Sequence, residues 1–193
     1  MEKLHVCIVD NSTIPVKTYG GTPRDIWAEA KVLARLGHRV TFLVGAGSSC
    51  PFANVIPLDG SRSFDEQIPD SVDIVHFHFP LRQKVTAKPY LITIHGNSRL
   101  GREFDRNAVF ISQDHARRNG SDIFVYNGLD LEELGPVDLH APRDYLLFLG
   151  KASRKVKNVR DCKSIARAAG YPLTVIGGYG FSPLGKVRYR GFG

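Results

Sequence analysis

An α/β protein built on a parallel sheet is what this sequence predicts, and three observations predict it. Residues 4–9 and 40–44 are apolar runs broken only by His5 and Thr41, without regular polar alternation, the character of strands covered on both faces. Stretches of helix length separate such runs. Turn residues close them, with Asp10-Asn11-Ser12 after the first run and Gly45-Ala46-Gly47-Ser48-Ser49 after the second.

The elements follow in order. After the first strand, Thr22-Pro23-Arg24-Asp25 reads as a helix start, with Thr22 as N-cap and Pro23 at the first helical position. Ile26, Ala30, Leu33, Ala34 and Leu36 form its apolar face, and Gly37 stops it. Shorter β-like runs lie at 54–57, 72–77, 90–94, 108–111 and 123–126, and helical stretches at 64–68 and 113–118. The segment from Gly135-Pro136 to Ala141-Pro142 reads as a linker. Beyond it, 145–149, a helix from about 159 to 169, and 173–176 restart the β-α-β pattern, which ends at Val187-Arg188-Tyr189 and Gly-Phe-Gly. Two domains are expected: a Rossmann-like domain at 1–140 and an incomplete second Rossmann-like domain at 141–193, since about 50 residues bury too little for a full core.

Composition excludes several classes. The 193 residues are 42% apolar and 23% charged, as in an ordinary globular protein, and no apolar run approaches membrane-spanning length. The opening Met-Glu-Lys-Leu-His-Val lacks the regions of a signal peptide. Cys7, Cys50 and Cys162 form neither a disulfide framework nor a metal spacing, so reduced thiols and a cytoplasmic location are expected. The net charge of +7 is unevenly placed. Residues 1–140 carry 15 Lys/Arg against 17 Asp/Glu, whereas 141–193 carry 11 Lys/Arg against Asp144 and Asp161 alone. Such a block is either a solvated face or an attractor of phosphates or nucleic acid.

Several positions can carry chemistry. Gly20-Gly21 lies between the first strand and its helix, where a parallel sheet receives ligands and a helix N-terminus offers free N–H groups. The dinucleotide fingerprint G-x-G-x-x-G is absent there. Asp73-Ile74-Val75-His76-Phe77-His78 puts two histidines on one face of a strand end, and Thr93-Ile94-His95-Gly96 puts a third at the next. Each has an ordinary structural reading. A His-x-His pair can also chelate zinc or iron, with His95 or Asp10 completing the set. Tyr126-Asn127-Gly128-Leu129-Asp130 reads as a tight turn. Gly150-Lys151-Ala152-Ser153-Arg154-Lys155-Val156-Lys157-Asn158 joins a strand–loop–helix setting to four cations, which suits a diphosphate, although it is not a P-loop. Gly177-Gly178-Tyr179-Gly180 is a second glycine-rich loop at the same sheet edge.

In this order the pieces resemble glycosyltransferase family four, retaining sugar-nucleotide-dependent enzymes of the two-domain GT-B fold. The matching pieces are Gly20-Gly21, Gly37-His38-Arg39-Val40, Asp73 to His78, Thr93 to His95, Asn127 to Asp130, the Lys151–Lys157 loop, and Ala169-Gly170-Tyr171-Pro172-Leu173 through Gly177. The resemblance implies an acceptor-binding first domain and a second that binds a nucleotide-sugar such as a UDP- or GDP-sugar. It implies that Gly20, Gly21, Lys151 and Lys157 meet the donor diphosphate, with the lysines stabilising the departing charge. His95 is the implied catalytic histidine, while His76, His78 and Asn127 shape the acceptor cleft. No cofactor and no metal are expected, because lysines take the cation's place. The expected partners are the donor, a glycan, lipid or small-molecule acceptor, a peripheral membrane contact and a missing C-terminal half; nucleic acid is not among them.

Two departures qualify the resemblance. Lys151 replaces the family's arginine, giving a point charge without the planar fork, in a loop one residue longer. The family's paired glutamates, seven residues apart in the second domain, have no counterpart, since no glutamate follows Glu133. The 193 residues alone are therefore expected to transfer negligibly. The alternatives are a non-catalytic binding module completed by another chain, a nucleic-acid-binding protein using the basic segment, and a metal-dependent hydrolase.

Overall fold

The computed structural model describes residues 2–17, 20–81, 85–97, 103–136, 138–180 and 186–191. The chain divides into two compact units, one of residues 1–16 and 20–133, the other of 17–19 and 134–193. The division falls between Glu133 and Leu134, where the sequence expectation places it between 140 and 141.

The first unit is a six-stranded parallel sheet of β1 (His5–Val9), β2 (Arg39–Val44), β3 (Asn54–Pro57), β4 (Ile74–Phe77), β5 (Tyr90–Ile94) and β6 (Ala108–Phe110). Its order is β3-β2-β1-β4-β5-β6, so the chain reverses direction across the sheet between β1 and β4. That order is a Rossmann-type arrangement, and the reversal opens a crevice at the carboxyl ends of β1 and β4.

Alternate side chains explain why these strands read as apolar runs. Val6, Ile8, Val40, Phe42 and Val44 form one buried cluster with Ile26 and Ala30 of α1 (Gly21–Arg35). Cys7, Val9, Leu43, Val75, Phe77, Ile92, Ile94 and Phe110 form another, with Ala116 of α2 (Gln113–Arg118) on the opposite face. A short helix, α3 (Leu131–Leu134), begins where the Asp130 side chain accepts from the Glu132 N–H at 3.1 Å.

Three local expectations need correction. Helix α1 begins at Gly21 with Gly20 as its N-cap and no side-chain cap, not at Thr22. Pro23 is then the third helical residue, still among the first four whose N–H has no intrahelical partner, so its missing donor costs no bond. Residues 64–68 form turns instead of a helix: the N–H groups of Gln67 and Ile68 both reach the Phe64 carbonyl, and Pro69 follows. Of 123–126, only Phe124 forms a bridge, to Phe110.

The second unit is a three-stranded parallel sheet, β7 (Leu146–Leu149), β8 (Leu173–Ile176) and β9 (Val187–Arg190), in that order, with α4 (Val159–Ala168) between β7 and β8 in sequence. Phe148, Ala166, Leu173 and Val175 are its buried centre. A single 3₁₀ turn at Lys155–Lys157 precedes α4, and Asn158 caps it at φ 56°, a left-handed conformation that asparagine tolerates. No helix among the described residues is long and apolar enough to cross a membrane.

Candidate active site

The sheet register explains why the histidines of β4 meet α1. His76 pairs with Ile8, whose side chain lies on the α1 face, and His78 follows two residues later on that face. Helix α1 buries Ile26 and Ala30 against the sheet. Asp25 and Glu29, one position before each, form an i,i+4 pair on the adjoining stripe. His95 follows β5, which pairs with β4, so its ring lies next to His78.

Glu29 is the hub of this group. Its Oε1 lies 2.6 Å from His76 Nδ1, and its Oε2 lies 3.3 Å from His78 Nε2. On the outer side, His76 Nε2 is 2.7 Å from Thr93 Oγ1 and His78 Nδ1 is 2.9 Å from His95 Nε2. His95 Nδ1 then faces Asp25 Oδ2 at 3.8 Å. The His76 and His78 ring centroids are 4.0 Å apart, and those of His78 and His95 are 5.2 Å apart.

The electrostatics follow from this geometry. Burial works to raise the Glu29 carboxyl, but the hydrogen bond from His76 and the attraction of the His76 and His78 rings outweigh it and hold the group at about 2. Burial pushes His95 down to about 4, helped by the neighbouring His78 and His76. Burial also lowers His78 and, with the Glu29 charge, raises Asp25. An ionised Glu29 only accepts, so the N–H groups face it from His76 Nδ1 and His78 Nε2. His76 Nε2 and the Thr93 hydroxyl share a hydrogen bond, and His78 Nδ1 accepts from His95 Nε2–H. This network assigns the His95 tautomer and leaves Nδ1 as a lone pair. A neutral histidine in that state accepts a hydroxyl hydrogen bond or a proton.

These residues line a cleft of about 680 Å³ in the first unit, together with Thr93, Tyr126, Asn127 and Leu129. The segment 127–130, expected as a tight turn, is irregular instead; it also lines the cleft and is tied to α1. Lys31 Nζ meets Asp130 Oδ2 at 2.5 Å, and Arg35 meets Glu132 at 3.2 Å.

The structure thus gathers His76, His78, His95 and Asn127 around one cleft. Gly20 and Gly21 lie instead at the start of α1. A Cβ on Gly20 would sit 3.2 Å from Pro23 and Val16 side chains, whereas Gly21 has open space. Lys151 and Lys157 belong to the second unit, Lys151 directly after Gly150 and Lys157 in the 3₁₀ turn. The Ala152 N–H donates to the Gly177 carbonyl at 2.9 Å, joining this loop to the glycine-rich loop after β8. A Cβ on Gly178 would come within 2.6 Å of Ala152 Cβ, so this close approach requires glycine. Sequence reasoning missed Glu29 and Asp25 as members of the site. Their four-residue spacing on the helix after β1 was the available signal.

No protein-family model matches the chain, and no curated protein matches it in sequence. Among solved structures, it is similar to an alpha-glucosyltransferase in complex with UDP and a 13-mer DNA containing a HMU base. The TM-score is 0.53 at 14% identity, over 95% of this chain and 57% of that one. Likeness at this level shows the fold, which is α/β and Rossmann-like. The chain spans 57% of that protein's length. Because that protein is in complex with DNA, the comparison lends no support to the expectation that nucleic acid is absent from the partners.

Proposed function

We propose that this chain carries the acceptor-side domain, and the donor-phosphate loop of the second domain, of a retaining GT-B glycosyltransferase using a UDP- or GDP-sugar. The observation that carries this reading is the convergence of His76, His78, His95 and Asn127 on one cleft beside the β1/β4 reversal. These four residues came from three separate sequence motifs. The fold shared with a UDP-complexed glucosyltransferase supports the same reading.

In this reading the acceptor occupies the cleft of the first unit. His95 hydrogen-bonds a sugar hydroxyl or orients the acceptor hydroxyl. Lys151 and Lys157 stabilise negative charge on the departing diphosphate as the glycosidic bond breaks. Gly20 and Gly21 let the backbone at the start of α1 approach that diphosphate. The acceptor is a glycan, a lipid or a small molecule; nucleic acid enters as a further class because the structural neighbour is in complex with DNA.

The test is a panel of UDP- and GDP-sugars read by thermal stabilisation of the chain. One nucleotide series raises the melting temperature, and the double variant Lys151→Ala/Lys157→Ala loses the effect. Equal stabilisation of wild type and double variant would refute the phosphate assignment. Any transferred product, its anomeric configuration read by NMR, decides retention against inversion.

A further inference from the structure

Glu29, His76 and His78 place a carboxylate oxygen and two imidazole nitrogens within 4.8 Å of one another. Two imidazoles and one carboxylate form a donor set suited to zinc and similar first-row divalent ions. Composition alone is weak evidence, because histidine–glutamate hydrogen bonds are ordinary.

Two further observations point to an ion. The His78 side chain is only 2% exposed, yet its Nε2 has no hydrogen-bond partner of acceptable geometry and points at Glu29 from 3.3 Å. A buried nitrogen left in that state is costly unless something else satisfies it. Secondly, both rings are anchored through their outer nitrogens, His76 by Thr93 and His78 by His95. Metal-bound histidines are held and oriented in this way.

We infer that Glu29, His76 Nδ1 and His78 Nε2 form a three-ligand site for a divalent transition-metal ion of the zinc class. All three residues line the cleft, from which water or a substrate hydroxyl would complete the coordination. Ligand atoms about a tetrahedral zinc lie roughly 3.3 Å apart. Glu29 Oε2 lies 3.3 Å from His78 Nε2 and Oε1 lies 2.6 Å from His76 Nδ1, so the carboxylate turns to present one oxygen as the ion replaces the His76 hydrogen bond.

The ion also sets the tautomers beyond it. Lone pairs given to the ion from His76 Nδ1 and His78 Nε2 would put the N–H groups on the outer nitrogens. His76 then donates to Thr93, and His78 Nδ1 donates to His95 Nε2. The His95 proton moves to Nδ1, so His95 turns from an acceptor into a donor in the cleft. This revises the expectation of no metal, which concerned the donor diphosphate. The ion proposed here belongs to the first unit.

The experiment titrates the chelator-stripped 193-residue chain with Zn²⁺ by calorimetry under reductant, and with Co²⁺ by visible absorption. One ion binds per chain, with cobalt bands free of thiolate charge transfer. His78→Ala and Glu29→Gln each weaken zinc binding by more than about a hundred-fold, because loss of an outer partner alone already costs up to that much. Thr93→Val keeps all three ligands and loses the bond to His76, and weakens binding about 10–100-fold. His140→Ala, which removes none of the three ligands, leaves it unchanged, and circular dichroism verifies that each variant is folded. Zinc bound equally by wild type and a folded Glu29→Gln or Thr93→Val variant would overturn the proposal. So would no zinc binding at all, or a thiolate charge-transfer band. The readout is binding, so it stands or falls separately from glycosyl transfer.

Discussion

Replacing Glu29 by glutamine keeps the side chain's shape and removes the charge that both histidines face. In the wild type this carboxyl is held at about 2 against an ordinary 4.5. Each pKa unit corresponds to 1.36 kcal/mol, so the shift amounts to about 3 kcal/mol. The side chain is 31% exposed, and solvent screening trims this to about 2 kcal/mol. Because the folded value lies below the unfolded one, the contribution is complete above about pH 4.5 and fades as pH falls toward 2. Urea denaturation of wild type and Glu29→Gln, followed by circular dichroism at several pH values, measures it. The variant is expected to be less stable by about 2 kcal/mol at pH 7 and by under about 1 kcal/mol at pH 3. A gap of the same size at both pH values would refute the reasoning, as would a variant as stable as wild type at pH 7.

Three other outcomes follow from the structure. His95 is lowered from 6.5 to about 4, so wild-type stability declines as pH falls through that window; His95→Asn flattens the decline in the same denaturation series. Phe77 is fully buried, with the Phe64 and Tyr90 rings at 5.2 and 6.2 Å, and Phe77→Ala costs about 3–5 kcal/mol in urea denaturation. Gly178→Ala forces a Cβ to within 2.6 Å of Ala152 Cβ and destabilises the second unit by about 1–3 kcal/mol, and Ala152→Gly in the same chain restores stability.

The strands were legible because both faces of the sheet are covered. Val6 and Ile8 serve one core and Cys7 and Val9 the other, so the sequence shows an unbroken apolar run. The start of α1 was misread because Thr22-Pro23 has the local chemistry of a cap, while the chain begins the helix on two glycines. At 64–68 apolar ends suggested a helix, but Pro69 and the Gln67 side chain, which bonds Asp59, Arg62 and Ser63, favour a compact turn. The histidines stood out because polar residues are rare at buried strand ends. Glu29 did not, since a glutamate on an amphipathic helix normally faces water. Its contact with His76 spans 47 residues of sequence and exists only because β4 pairs with β1.

That same pairing dictates an order of events during synthesis. Strand β1 takes one neighbour from β2, about 34 residues on, and the other from β4, about 68 residues on. Until residue 77 has left the ribosome, β1 presents a bare edge whose five residues are all buried in the finished fold. An exposed apolar edge of that kind is a template for pairing with other chains. Nascent chains stalled between β3 and β4 therefore expose this edge, whatever the stability of the completed sheet.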